Sequence, residues 1–80
     1  MTELKPIYSN NKSFYGKANT FYKEGALVLR SYSTDVAYII DGQPVVTGMY
    51  SQTTLKHIKE FLLQNGFKAE NWKQIEKDYC

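Results

Sequence analysis

The one histidine of this 80-residue sequence, His57, sits in its most strongly patterned stretch, YSQTTLKHIKEFLLQNGF, from Tyr50 to Phe67. An imidazole there could act as a general base if a nucleophile and an orienting group lay within reach. The sequence has no second histidine, and its one cysteine, Cys80, is the final residue. A zinc site would need a cluster of His and Cys ligands that these two residues cannot make. There is no GxGxxG run, no phosphate loop, no metal-ligand spacing and no recognisable nucleophile–base pair. Thr53 and Thr54 stand where a helix N-terminus would favour an anion, but capping and first-turn chemistry accounts for them. His57 is read as a structural or surface residue. The expectation is a protein without catalysis, cofactor or metal.

Composition narrows the class further. Apolar residues make up 42% of the chain, enough for one small folded domain rather than a disordered segment. Seven tyrosines, four phenylalanines and one tryptophan are a heavy aromatic load at this length. They imply either a core of large side chains or an aromatic surface. The formal charge of +2 is too small to argue for nucleic acid by itself. A single cysteine gives no internal disulfide, no apolar run is long enough to span a membrane, and the start of the chain lacks the apolar centre of a signal peptide. These features lead us to expect a cytoplasmic protein with no membrane partner.

The elements that position these residues follow from periodicity and turn chemistry. Residues 1–12 are polar and read as a tail or a short edge strand at Pro6–Tyr8. Residues 13–80 read as a single α+β domain. Strand-forming residues run from Ser13 to Tyr50, broken by Glu24-Gly25, by the Ser33–Asp35 connection and by Asp41-Gly42, the strongest hairpin signal in the chain. Ser51 is a good N-cap and Gly66 a good helix stop, with Leu55, Ile58 and Leu62 at helical spacing between them. Lys56, Lys59 and Glu60 are expected on the solvated side. Trp72, Ile75 and Tyr79 mark a second short helix, capped near Glu70-Asn71. The expected fold is a four-strand antiparallel meander with one amphipathic helix on one face and a short C-terminal helix.

Two-residue turns fix a strand register, and the register sorts side chains onto faces. Gly16, Ala18, Ala37 and Gly48 fall with Leu27, Leu29, Ile39 and Val46 on a face that a helix can approach closely. Val36, Val45 and Met49 fall on the opposite face with Tyr15, Lys17, Phe21, Arg30, Tyr32 and Tyr38. These last six residues are the candidate partner-binding set.

Three blocks, KSFYGKA (Lys12–Ala18), SYSTDVAYI (Ser31–Ile39) and the Tyr50–Gly66 stretch, together resemble a family of small proteins of phages, prophages and mobile elements of low-GC Gram-positive bacteria. The resemblance implies a phage-type accessory protein in the bacterial host cell. Many such proteins inhibit host machinery, anti-CRISPR proteins among them. A host protein is therefore the expected partner, bound through tyrosines that offer contact area at little entropic cost. The alternative is a small nucleic-acid-binding module in which the aromatics stack bases beside Lys17 and Arg30. Homodimerisation through the aromatic face is compatible with both.

Overall fold

The computed structural model describes residues 1–47 and 51–80. Five antiparallel strands lie side by side in sequence order: β1 (Thr2–Glu3), β2 (Ala18–Lys23), β3 (Ala26–Ser31), β4 (Thr34–Ile40) and β5 (Gln43–Val46). Two helices complete the α+β fold, α1 (Gln52–Gln64) and α2 (Trp72–Tyr79). Neither is long and apolar enough to cross a membrane. The expected face positions of Gly48 and Met49, and the strand expected to reach Tyr50, lie outside the described residues.

Turn chemistry sets the register. Glu24-Gly25 and Asp41-Gly42 have positive φ at both residues (52° and 82°; 50° and 75°), as a type I′ hairpin turn requires. Tyr22 therefore pairs with Leu27 and Thr20 with Leu29, while Ile39 pairs with Pro44 and Ala37 with Val46. These are the pairings the sequence predicts.

The sheet departs from expectation in four places, the first being the turn between β3 and β4, which is Tyr32-Ser33 rather than Ser33–Asp35, so that Thr34 and Asp35 belong to β4. A turn at Tyr15-Gly16, closed by a 2.9 Å bond from the Lys17 amide to the Phe14 carbonyl, starts β2 at Ala18 rather than Ser13. A bulge between Leu29 and Arg30 puts Asp35 opposite Arg30 and makes Val36 an extra residue on β4, buried in the core instead of on the open face. An edge strand does form, but at Thr2–Glu3 rather than Pro6–Tyr8. There the Leu4 amide donates to the Ala18 carbonyl at 2.8 Å and the Leu4 side chain enters the core.

The core lies on one side of the sheet. Ala18, Leu29, Ala37 and Val46 meet Ile58, Phe61 and Leu62 of α1 and Ile75 of α2. The small Ala18 and Ala37 leave room for the large apolar side chains of α1. Burying a side chain such as Ile58 stabilises the fold by roughly 1.5–3 kcal/mol. Ser51 caps α1 by accepting a bond from the Thr54 amide. The helix ends in a Schellman motif: the Phe67 amide bonds Leu62, the Gly66 amide bonds Leu63, and Gly66 has φ +84°. Asn71 caps α2 in the same way as Ser51 caps α1, through the Gln74 amide. Leu55, expected in the heart of the stripe, is only half-buried. The buried side of α1 is turned towards Thr54, His57 and Glu60.

Candidate interaction surfaces

The six residues expected to form one surface divide into two groups. Phe21, Arg30 and Tyr38 stay on the sheet face away from the helices, because Phe21 pairs with Val28 and Val28 with Tyr38. Tyr15 and Tyr32 do not. Both occupy turns at the end of the sheet where β2 begins and β3 ends, and both have left-handed backbones, φ 54° and 57°. Lys17 belongs with them in space: its carbonyl accepts the Tyr32 amide at 2.6 Å, which ties the two turns together.

The tyrosine end is organised around His57. Its ring is 1% exposed and packs edge-on against Phe14 (centroids 4.6 Å apart, 63° between planes), with the Tyr32 ring 5.9 Å away on a 40° tilt. Ser31 Oγ lies 2.8 Å from His57 Nδ1 and 3.0 Å from Thr54 Oγ1, and Ser51 Oγ bonds Thr54 Oγ1 at 3.3 Å. Burial pushes the imidazole below its ordinary pKa. This places a hydroxyl on the histidine, a pairing that sequence spacing does not reveal because 26 residues separate the two. A nucleophile must reach its substrate, and Ser31 and His57 are both closed in. What the arrangement does is hold the first turn of α1 against the end of β3.

Glu60 is the second buried group, and the sequence misplaces it. Expected on the solvated side, it is 1% exposed because residues 7–9 fold over it. Its carboxylate accepts the amides of Ile7 (2.9 Å), Tyr8 (3.1 and 3.2 Å) and Ser9 (3.0 Å), and the Gln64 side-chain amide at 2.6 Å. Gln64 also donates to the Lys5 carbonyl. Burial acts to raise the Glu60 pKa, but the donors from Gln64, Ile7, Tyr8 and Ser9 together outweigh it and hold the carboxyl below its ordinary value. The result is a clasp. It fixes the segment leading into Phe14 and Tyr15, and so the tyrosine end. A groove of about 260 Å³ runs beside the clasp between Tyr8 and Leu63, flanked by Lys56 and Lys59.

The open sheet face has a different character. Arg30 Nε bonds Asp35 Oδ1 at 2.7 Å while its guanidinium lies 4.7 Å from the centre of the Phe21 ring. The bulge makes this ion pair by bringing Asp35 opposite Arg30. Around it stand Tyr38, Ile40 and Val45, the last two 45% and 41% exposed, above a buried Ala26 and Val28.

Among the described residues, no buried side-chain nitrogen or oxygen lacks a hydrogen-bond partner, and no group of three or more His, Cys, Asp or Glu is placed to hold a metal ion. Residues 2–78 match the model of a family of unknown function (DUF8033), and the chain belongs to that family. No curated protein and no solved structure matches it.

Proposed function

We propose that this protein is a non-enzymatic accessory protein that binds and inhibits a protein of a bacterial host, with a host-defence antagonist of the anti-CRISPR type as the leading instance. The phage and anti-CRISPR context comes from the sequence resemblance. The binding surface proposed is the tyrosine end.

One observation carries this reading. Tyr15 is 76% exposed and Tyr32 52% exposed, and each holds a left-handed backbone that a bulky residue adopts at a cost of about 1–2 kcal/mol. Glycine or asparagine would serve a turn better. Two large rings kept in water at a backbone cost are explained by what they touch. Tyrosine is enriched among the residues that dominate protein interfaces. Lys17, exposed and without an ion pair among the described residues, adds a positive charge beside them. This points to a partner surface with acidic groups.

The nucleic-acid alternative draws on the same lysine. Phosphate binding, however, needs several unneutralised cations, and Arg30 is already held by Asp35. The test is affinity capture from a Gram-positive host lysate with and without nuclease, using the wild-type chain and a Tyr15→Asn/Tyr32→Asn chain as baits. Asparagine tolerates the left-handed backbone, and circular dichroism of the bait checks that losing the Tyr32 ring beside His57 leaves the fold intact. A protein captured by the wild type alone, regardless of nuclease, supports the proposal. Equal capture by both baits, or recovery that nuclease abolishes, refutes it.

A further inference from the structure

We propose that the groove beside the Glu60 clasp binds a short acidic peptide segment, with a carboxylate held between Lys56 and Lys59 and a neighbouring apolar side chain laid on Leu63. The lysines select the charge. They stand one turn apart on α1 and both line the groove, so both can reach one anion. Glu60 follows Lys56 by four residues, the spacing of an intrahelical ion pair, yet it neutralises neither lysine. Its oxygens are engaged by the amides of residues 7–9 and by Gln64. Among the described residues no ion pair joins Lys56 or Lys59 to an acid, whereas the nearby Lys68 has Glu70 at 3.8 Å. The clasp that orders residues 7–9 thus takes the lysines' natural partner away and leaves a positive rim on a groove.

The floor selects the rest of the ligand. It is made of the half-buried Leu63, the buried Ala69 and the Tyr8 ring, which is 62% exposed. A bare inorganic anion would leave that floor in water. Phosphate and nucleotide sites draw on main-chain amides or on guanidinium forks. Here the Tyr8 and Ser9 amides are already bonded to Glu60, and the chain's one arginine, Arg30, is on the far face of the sheet. Tracking a nucleic-acid backbone takes more cations than two. A lysine ammonium is a compact point charge that suits a single carboxylate. A groove of about 260 Å³ takes a few side chains rather than a folded surface. A carboxylate beside an apolar side chain, as on an acidic peptide, satisfies both the rim and the floor.

The proposal does not rest on the tyrosine end, and either can fail without the other. The test is a titration followed by proton–nitrogen correlation spectra, with a Leu-Asp-Leu-Glu-Phe peptide blocked at both ends as the probe. Shifts should cluster at Tyr8, Ser9, Lys59 and Leu63 and saturate with a Kd of about 1 mM or tighter. Lys56→Gln/Lys59→Gln alters one exposed and one half-buried side chain away from the core, and should weaken binding at least about tenfold with the spectrum of the fold retained. Lys23→Gln, an exposed lysine beside the Glu24-Gly25 turn, should bind as the wild type does. The same peptide with Asn and Gln in place of its acids should not bind. The absence of a saturable shift with the acidic peptide overturns the proposal. So does equal binding by the double lysine variant or of the amide peptide, and so does tighter binding of inorganic phosphate or of a thymidine oligonucleotide at the same residues.

Discussion

Replacing Glu60 by glutamine changes one oxygen for an amide nitrogen and nothing else in shape. The carboxylate accepts from three main-chain amides and from Gln64, with Oε1 serving Tyr8 and Ser9 and Oε2 serving Ile7, Tyr8 and Gln64. Whichever oxygen becomes NH₂, at least two donors then face a donor. Turning Gln64 round to accept would cost its bond to Lys5. Bonds to a charged acceptor contribute about 1.5–3 kcal/mol each, and amides of the exposed Ile7 and Tyr8 recover part of this from water, so the expected loss is about 2–4 kcal/mol. An 80-residue domain has roughly 4–12 kcal/mol in total. Urea denaturation measures the loss, and amide exchange at Ile7, Tyr8 and Ser9 should speed up along with it. The folded-state pKa of Glu60 is depressed, so its contribution is complete above the ordinary carboxylate range and disappears as pH falls through the folded value. The glutamine chain should therefore show a flatter acid limb. A loss under about half a kcal/mol, with exchange unchanged, would refute the clasp.

Other changes probe the remaining groups. The His57 pKa is lowered in the fold, so the unfolded chain takes up the proton first and stability should decline as pH drops below about 6.5. His57→Asn should lower stability at neutral pH but remove that slope, as pH-dependent thermal melts will show. Ile58→Ala, in the centre of the core, should cost about 2–5 kcal/mol in urea unfolding. Asp35→Ala breaks a partly exposed ion pair and should cost no more than about 1 kcal/mol by the same measurement. Tyr15→Asn should leave stability unchanged or raise it by up to about 1 kcal/mol, because it relieves backbone strain at an exposed site.

Much of the fold could be read from local signals. Glu24-Gly25 and Asp41-Gly42 determine the register of two hairpins, and Ser51, Gly66 and Asn71 mark where the helices start and stop. The candidate surface was legible only in part. Alternation places Phe21, Arg30 and Tyr38 correctly, because nothing irregular separates them from the turns that fix their faces. It fails for Tyr15 and Tyr32, which look like strand residues by type yet occupy turns. The signal for Tyr15 was the glycine after it, in the same pattern as the Glu24-Gly25 and Asp41-Gly42 turns. Val36 was misplaced by a bulge, which shifts the period by one without any local mark. Glu60 could not have been found at all, since the amides that bury it lie more than fifty positions away in sequence. The strand at Thr2–Glu3 is likewise held by pairing to β2 rather than by its own residues.

The claim that the tyrosine end meets a host protein is tested most directly by a photo-crosslinking side chain placed at position 15, 32 or 22 and irradiated in host cells. Positions 15 and 32 should join the chain to one protein of defined mass, resistant to nuclease. Position 22 is more exposed than either but lies beside the Glu24-Gly25 turn, at the opposite end of β2, and should give no such product. Adducts that nuclease removes, or a protein crosslinked from position 22 and not from 15 or 32, would contradict the account.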